Sequence, residues 1–368
     1  MAMHTSLLGL ATATPPGAFT QAAAARLAAD RSGASEAQQR IVARLYEQAC
    51  VEQRASVLDP PAANTTAAAP MVGFYPPAAD ASPTTGQRMQ AYVRHAGPLA
   101  ARAAEASLRT AGIEPGRVRH LVTVSCTGFH APGLDVELID NLALPAGVTR
   151  THVGFMGCHG AINGLRVAVA LARQHAGDHV LLCAAELCSL HMQYGYDRDH
   201  LVANALFSDG AAAVLLRAVE PPHEQSSRSW HVIDTASHLV AGTRDAMTWT
   251  IGDHGFRMTL SPRVPHLIRE HLPPWLAAWL AGHGLAVGDI ASWAVHPGGP
   301  RILDAVAQGL ELDASRLDAS RRVLARMGNM SSPTVLFILD ALQQAGAGGP
   351  AVMLAFGPGL TVEAALLG

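Results

Sequence analysis

The chain has 368 residues, a formal net charge of −3 at pH 7, and 49% hydrophobic against 15% charged residues. All 26 of its Lys and Arg positions are arginine, so Schiff-base chemistry on a lysine, a P-loop lysine and a lysine base are excluded. The length and apolar content predict one large domain or two ordinary ones with a substantial core, and they exclude disordered and fibrous classes.

The charge balance and the cysteines restrict the partners and the compartment. A nearly neutral chain has no general attraction to nucleic acid, and no apolar run reaches the roughly 20 residues of a membrane span. The N-terminus lacks the basic segment of a signal peptide, and five scattered cysteines are typical of reduced thiols. We therefore expect a cytoplasmic protein. Cys183, Cys188 and His191 lack zinc spacing, so no metal site is predicted. No bound cofactor is expected either.

The predicted elements alternate between strands and helices, which indicates an α/β fold. A strand at 121–126, a helix at 161–174 and a strand at 180–184 recur as a strand at 292–297, a helix at 333–344 and a strand at 351–355. The offset stays at 171 residues between the first strands, which start at 121 and 292, and between the last strands, which start at 180 and 351. It is also 171 residues between Gly157 and Gly328, the glycines that precede the two helices. Such constant spacing indicates an internal duplication.

The duplication predicts two halves, 1–217 and 218–368, with a linker at 221–228. A surface loop region is predicted at 60–83, which is rich in Ala, Thr and Pro. The helix that follows residue 158 is apolar nearly all round, as expected for a helix buried between layers. We therefore predict two sheets around a central helical layer.

Reactive side chains occupy related points of the two halves. Cys158 is predicted at the first turn of the buried helix, where unpaired N–H groups favour a thiolate. Asn329 is its predicted counterpart in the second half, and His296 follows the end of a strand. A core cysteine, a turn histidine and a capping asparagine are the alternatives, but the joint pattern favours convergence at one site. A thiolate could accept an acyl group there, while His and Asn donate to one oxyanion.

The chain resembles the type III polyketide synthases, the chalcone-synthase-like branch of the thiolase fold. The matching segments are Gly154-Phe-Met-Gly-Cys158-His-Gly-Ala, Ala205-Leu-Phe207-Ser-Asp-Gly-Ala, His296-Pro-Gly-Gly-Pro, Gly328-Asn329-Met-Ser-Ser and Phe356-Gly-Pro-Gly-Leu. The resemblance implies an αβαβα homodimer in which an acyl-CoA starter acylates Cys158. It also implies that His296 and Asn329 hold the thioester carbonyl while malonyl-CoA loses carbon dioxide, and that His296 keeps Cys158 ionised as an ion pair.

The same resemblance assigns residues around the reaction centre. Phe207 is at the position of a gatekeeper, and Met258 is at the position of its usual partner, a second phenylalanine. Among cavity residues a cysteine at position 126 is a feature of some bacterial members that make small phenolics from malonyl units alone. The expected cavity residues are Cys126, Cys188, His191 and Ser331.

Coenzyme A carries several negative charges, which in this family are commonly met by Lys and Arg at the tunnel mouth. Only arginine can serve here. The candidates are Arg44, Arg54 and Arg301, each of which could instead be a solvated surface charge.

The favoured hypothesis is a type III polyketide synthase that extends a starter with malonyl-CoA by repeated decarboxylative condensation and then cyclises the chain to a pyrone, a resorcinol or another small phenolic. A ketoacyl synthase III-like enzyme that condenses once is the alternative. An inactive partner subunit of the same fold is a third hypothesis, which the intact Cys, His and Asn disfavour. The sequence leaves open the starter, the number of extensions, the cyclisation and delivery by a carrier protein.

Overall fold

The computed structural model describes residues 4–58, 73–77, 82–175, 177–219 and 230–368. The predicted linker at 221–228 lies outside these residues, as does most of the predicted surface loop at 60–83. No helix within the described ranges is long and apolar enough to cross a membrane.

The first half of the chain carries the predicted strands and buried helix. Its longest helix begins at a capping box, in which Thr84 accepts from the Gln87 N–H and the Gln87 side chain accepts from the Thr84 N–H. The elements are β1 (His4–Ala13), β2 (Ala18–Thr20), α1 (Gln21–Ser32), α2 (Glu36–Gln48), β3 (Gln53–Ala55), α3 (Thr85–Ala111), β4 (Val118–Ser125), α4 (Leu134–Leu142), β5 (Thr149–Gly154), α5 (Gly160–Gln174), β6 (His179–Leu187), α6 (Arg198–Leu206) and β7 (Asp209–Val219). The strands predicted at 121–126 and 180–184 are β4 and β6, and the predicted helix is α5.

The second half contains the strands and the helix predicted from the offset of 171 residues as β11, β12 and α10. Its elements are β8 (His231–Leu239), β9 (Met247–Gly252), β10 (Gly255–Leu260), α7 (Val264–Ala281), β11 (Ser292–Val295), α8 (Pro300–Gly309), α9 (Asp318–Met327), α10 (Thr334–Gln344), β12 (Ala351–Gly357) and β13 (Thr361–Leu367).

The strand order repeats between the halves. Nine strands form a sheet in the order β11-β12-β13-β8-β1-β7-β6-β4-β5. The first half contributes β5-β4-β6-β7-β1 and the second β11-β12-β13-β8. The strands β4-β6-β7-β1 and β11-β12-β13-β8 each have one parallel pair followed by two antiparallel pairs, and β5 adds a further parallel pair with β4. The two half-sheets meet where Thr5 and Ser6 of β1 pair with Val232 and His231 of β8. The boundary at 217/218 stays a prediction, and it lies within β7, which ends at Val219.

Three apolar clusters define the layers of the fold. The central cluster contains Ile162 of α5 and Val335 of α10, together with residues of both half-sheets. A second cluster packs Leu99 of α3 on the outer face of the first half-sheet, and a third packs Leu272 of α7 and Leu303 of α8 on the second. Helices therefore lie outside and between the half-sheets, which is the layered α/β architecture that the sequence predicts.

Candidate active site

Cys158 lies in a single 3₁₀ turn, Gly157–His159, that runs directly into α5. The turn is tight because Gly157 has a φ of +77°, and a Cβ on it would lie 2.7 Å from the Pro358 ring. Glycine is therefore required there, both for the backbone conformation and for the close approach. The turn leaves the half-buried Cys158 side chain at the N-terminal end of a helix buried between the half-sheets.

Ser331 connects two thiols. Its hydroxyl donates to Cys158 Sγ at 3.6 Å, and the same Oγ lies 3.4 Å from Cys126 Sγ. A hydroxyl has one proton to donate, so the Cys126 S–H donates to Ser331 in this arrangement. Ser331 has a φ of +56°, an uncommon conformation for a residue with a Cβ and one that clusters at functional sites.

Asn329 is oriented by its own backbone surroundings. Its N–H donates to the Leu206 carbonyl at 2.8 Å, and it forms an isolated parallel bridge with Phe207. The predicted position at the start of the second buried helix is wrong in detail, because α10 begins only at Thr334. The pairing with the segment after α6 determines where Asn329 lies.

The Asn329 amide has a defined orientation. The Ser331 N–H donates to Asn329 Oδ1 at 2.8 Å, so the carbonyl side of the amide is occupied and Nδ2 faces the other way as a donor. Burial raises the pKa of the Cys158 thiol, and a hydrogen bond from the Asn329 side chain opposes that shift. The structure therefore brings the predicted Asn329 and Cys158 together.

His296 follows β11 and is 1% exposed. Its backbone N–H donates to the Leu354 carbonyl at 2.8 Å. Neither ring nitrogen has a hydrogen-bond partner among the described residues. Burial, and then the charge on nearby His159, lower the pKa of His296 to about 3, so the ring is a neutral imidazole.

Burial also shifts the pKa of the Cys158 thiol. It raises the pKa of Cys158 to about 11, and the hydrogen bonds from Ser331 and Asn329 act in the opposite direction. The charged forms of Cys158 and His296 are thus both disfavoured in the unliganded protein, whereas the resemblance implies an ion pair. The ion pair stays a prediction, and the contributions that favour a thiolate are the hydrogen bond from Ser331 and the Asn329 side chain.

A narrow cavity lies in front of Cys158. About 30 Å³ is open to the centre of a water-sized sphere. The predicted gate and cavity residues that line it are Cys126, Cys188, Phe207, Met258 and Ser331, and Cys158 lines it with them.

His191, predicted as a cavity residue, lies behind the wall instead. It is 4% exposed, and its Nε2 lies 2.6 Å from the Thr127 carbonyl while Nδ1 accepts from the Phe256 N–H at 3.0 Å. These contacts require the Nε2–H tautomer. The ring also stacks on Phe256, with centroids 4.2 Å apart. His191 therefore connects β10 to the loop after β4 and does not line the cavity.

Sequence reasoning missed Trp249, which lines the same cavity. Trp249 pairs with Met258 across the β9–β10 hairpin, and its indole N–H donates to the Cys126 carbonyl at 2.8 Å. The segment Gly252-Asp-His-Gly255 has the composition of a hairpin turn. Counting back from that turn would have placed position 249 opposite 258.

Glu186 was also missed. This carboxylate is 0% exposed and accepts from the Cys126 N–H, the Thr127 hydroxyl and the Ser332 hydroxyl. Burial raises its pKa, and these donors oppose the shift. A charged residue inside the otherwise apolar run 179–187 was the signal in the sequence.

An open groove lies on the other side of the C-terminal end of α6. About 210 Å³ of it is open to the centre of a water-sized sphere, and its walls come from α2, α6 and the starts of α7 and α8. Arg301 lines the groove as an exposed cation, and so does Arg198, which was not predicted. Arg44 is exposed on α2, four residues before Gln48 of the groove wall.

Arg54 does not fit its predicted role at the tunnel mouth. Its side chain is buried, at 3% exposure, and donates to the carbonyls of Asn204, Ala205 and Phe207 and to the side chain of Gln21. Burial lowers its pKa to about 10, which leaves the guanidinium charged at neutral pH. The prediction of Arg54 as a CoA ligand is therefore wrong, because its guanidinium is buried and binds acceptors inside the protein.

Comparison with known proteins identifies the family. The model for the N-terminal domain of chalcone and stilbene synthases matches residues 2–220, and the model for the C-terminal domain matches residues 231–368. The chain belongs to the chalcone and stilbene synthase family. It is a type III polyketide synthase and an acyltransferase, as the sequence predicts.

Relatives and solved structures agree with this assignment. The 1,3,6,8-tetrahydroxynaphthalene synthase of Streptomyces peucetius subsp. caesius is 35% identical, covering 99% of this chain and 93% of the relative. The α-pyrone synthesis polyketide synthase-like Pks18 of Mycobacterium tuberculosis is 32% identical over 97% and 89%. The crystal structure of PKS-I from the brown alga Ectocarpus siliculosus matches with a TM-score of 0.91 and 29% identity, covering 100% of this chain and 98% of that one. The predicted thiolase-type fold is confirmed.

Proposed function

We propose that Cys158 carries the growing acyl chain. The observation that supports this most strongly is the convergence of two side-chain donors, Ser331 and Asn329, on a half-buried thiol that opens into a cavity. In the loading step the Cys158 sulfur attacks the carbonyl carbon of an acyl-CoA. The carbonyl carbon–sulfur bond to CoA breaks, and CoA leaves as a thiol that takes up one proton.

His296 and Asn329 are proposed to act on malonyl-CoA. Decarboxylation breaks the bond to the carboxylate, carbon dioxide leaves, and the electron pair forms an enolate whose oxygen carries the charge. Asn329 Nδ2 is oriented as a donor by the Ser331 N–H, and both nitrogens of the His296 ring are unpartnered among the described residues. Two neutral donors in a buried site would stabilise that oxygen.

The condensation closes the cycle. The enolate carbon attacks the acyl carbonyl on Cys158, a carbon–carbon bond forms, and the electron pair of the broken thioester returns to sulfur as a thiolate. The extended chain is then on CoA, and transfer back to Cys158 prepares the next round. No metal or bound cofactor enters any of these steps, because CoA thioesters are the substrates.

The groove is proposed to bind the CoA phosphates. Arg198 and Arg301 line it, and Arg44 lies exposed nearby on α2. Arginine side chains are suited to phosphate because their donors match two oxygens at once. Leu206 lines the groove and Phe207 lines the cavity, which supports the proposal that Phe207 is a gate between them, with Met258 on the cavity side.

A small starter is proposed, most simply malonyl-CoA itself. The cavity is narrow, Trp249 fills one side, and the Cys158 thiol shares the remaining space with Cys126 and Cys188. A long acyl chain would have to displace the indole ring from its hydrogen bond with the Cys126 carbonyl. The expected product is therefore a small phenolic or pyrone.

A homodimer in the cytoplasm is the proposed state. β5 is the terminal strand of the sheet, and its residues are mostly exposed. The neighbouring Phe129, Phe155 and Met156 are 53%, 38% and 37% exposed, an apolar group that favours burial by a second copy. All five cysteines are free thiols, which supports a reducing compartment.

Product analysis tests the proposal. The protein is incubated with malonyl-CoA alone and then with malonyl-CoA plus acyl-CoA starters of increasing length, and the products are identified by mass spectrometry. We expect multiply extended, cyclised products from malonyl-CoA alone and little use of long starters. A single β-ketoacyl product would instead favour the ketoacyl synthase III-like alternative, and no product from any starter would favour an inactive partner subunit.

A further inference from the structure

A chain of buried polar side chains lies directly behind the nucleophile. His159 follows Cys158, is 3% exposed, and has its Nδ1 2.7 Å from Asn163 Oδ1. Asn163 Nδ2 donates to Glu363 Oε1 at 3.0 Å, and Glu363 is 2% exposed. The chain therefore runs from the nucleophile turn, along the first turn of α5, to strand β13 of the other half.

The far end of this chain is anchored. Arg166 of α5 donates to Glu363 Oε2, and the Ser237 hydroxyl of β8 donates to Oε1 at 2.7 Å. This buried carboxylate accepts from a guanidinium, an amide and a hydroxyl, which come from α5 and β8. Glu363 is thus a fixed point to which the other members are attached.

The hydrogen bonds define the polarity of the chain. Because Asn163 donates through Nδ2 to a carboxylate, its Oδ1 must accept, and His159 Nδ1 must carry the proton. The ring position is also fixed sterically, since a Cβ on Gly357 would lie 2.2 Å from His159 Cδ2. His159 therefore has one tautomer and one position when neutral.

We propose that His159 is a positioning residue for the polyketide-forming reaction. Its hydrogen bond to Asn163, anchored by Glu363, holds the 3₁₀ turn so that the Cys158 sulfur stays within reach of Ser331 and Asn329. This role rests on the proposed function of Cys158 as the acyl carrier. It adds a residue that does not touch the reacting atoms and acts through the turn.

The groups that face His159 are Arg166 and Asn163 on α5, Glu363 on β13 and His296 after β11. Burial lowers the pKa of His159, while Asn163 and Glu363 oppose that shift. The hydrogen bond to Asn163, rather than a charge, is then the property to test.

The test compares His159→Leu with His159→Asn. Both variants lose the ring, but asparagine can place an N–H near the former Nδ1 and donate again to Asn163. Two rates are measured: alkylation of Cys158 by iodoacetamide, followed by mass spectrometry, and product formation from malonyl-CoA. We expect both rates to fall about tenfold in His159→Leu and to recover to within about threefold in His159→Asn, because misplacing a reacting group by a fraction of an ångström to 1 Å is costly.

Asn163→Leu keeps the His159 ring and removes the same hydrogen bond, so it can be measured instead if His159→Leu does not fold. The His159→Leu/Asn163→Leu double variant should be little worse than either single variant. His175→Phe, at the exposed C-terminal end of the same helix, is the control and should leave both rates unchanged.

Two results would overturn the proposal: alkylation in His159→Leu within twofold of the parent protein, or His159→Asn no faster than His159→Leu. Alkylation does not require polyketide synthesis. A protein that shows the expected alkylation pattern while Cys158→Ala still forms product would retain the positioning role and refute the proposed function.

Discussion

Replacing Arg54 by methionine distinguishes a structural cation from a substrate ligand. The change leaves three buried acceptors without their donor, namely the backbone carbonyls of residues 204 and 207 and the side-chain oxygen of Gln21, whereas the Ala205 carbonyl keeps the hydrogen bond from Gln21 Nε2. At about 1 kcal/mol for each buried acceptor left unsatisfied, the loss is about 3 kcal/mol. An unfolding entropy of about 2.1 cal/mol/K per residue converts this into a fall in Tm of about 4 °C for a chain of this length.

The assay is thermal unfolding at neutral pH, together with steady-state kinetics well below Tm. Arg44→Met is the matched control, because Arg44 is exposed. We expect Arg44→Met to keep Tm within about 1 °C and to raise KM for malonyl-CoA, and we expect the reverse pattern for Arg54→Met. Arg54→Lys keeps the charge but not the forked donors and should be intermediate in Tm. An unchanged Tm with a raised KM in Arg54→Met would refute the structural assignment.

Three further predictions concern the thiol, the cavity and the groove. Ser331→Ala removes the hydroxyl that donates to Cys158, so the thiol pKa should rise by about one unit and alkylation at pH 8 should slow about tenfold; an unchanged rate would contradict this. Trp249→Gly should add longer products to the mass spectrum, and Trp249→Phe should not; identical product lengths in all three proteins would show that the indole does not limit the cavity. Arg301→Glu should raise KM for malonyl-CoA about tenfold with kcat retained, as expected for a lost charge-assisted hydrogen bond, whereas an unchanged KM would exclude the groove as the CoA site.

The repeated elements could be predicted because burial leaves a pattern in the sequence. Helix α5 lies between the half-sheets, so it is apolar nearly all round, and β6 is buried along its whole length. The equivalent elements of the second half face the same surroundings. The duplication could therefore be predicted from spacing alone, and so could the approximate position of Cys158 at the N-terminal end of α5.

What the sequence could not provide is the burial of individual polar residues. Arg54 and Arg301 are chemically identical in the sequence, and only the packing of α1, α2 and α6 decides that Arg54 lies inside and Arg301 outside. His191 faces the backbone of Phe256 rather than the cavity because of how the β9–β10 hairpin is placed. These positions depend on contacts between residues far apart in the chain.

The central claim is that Cys158 accepts the acyl group. The direct measurement is the mass of tryptic peptides after brief incubation with an acyl-CoA starter in the absence of malonyl-CoA. Cleavage after arginine places Cys158 in the peptide 151–166, Cys126 in 120–150, and Cys183 and Cys188 in 174–198. We predict the acyl adduct on peptide 151–166 alone, and its absence in Cys158→Ala. An adduct confined to either of the other peptides, or one that persists on another cysteine in Cys158→Ala at the same level, would contradict the account.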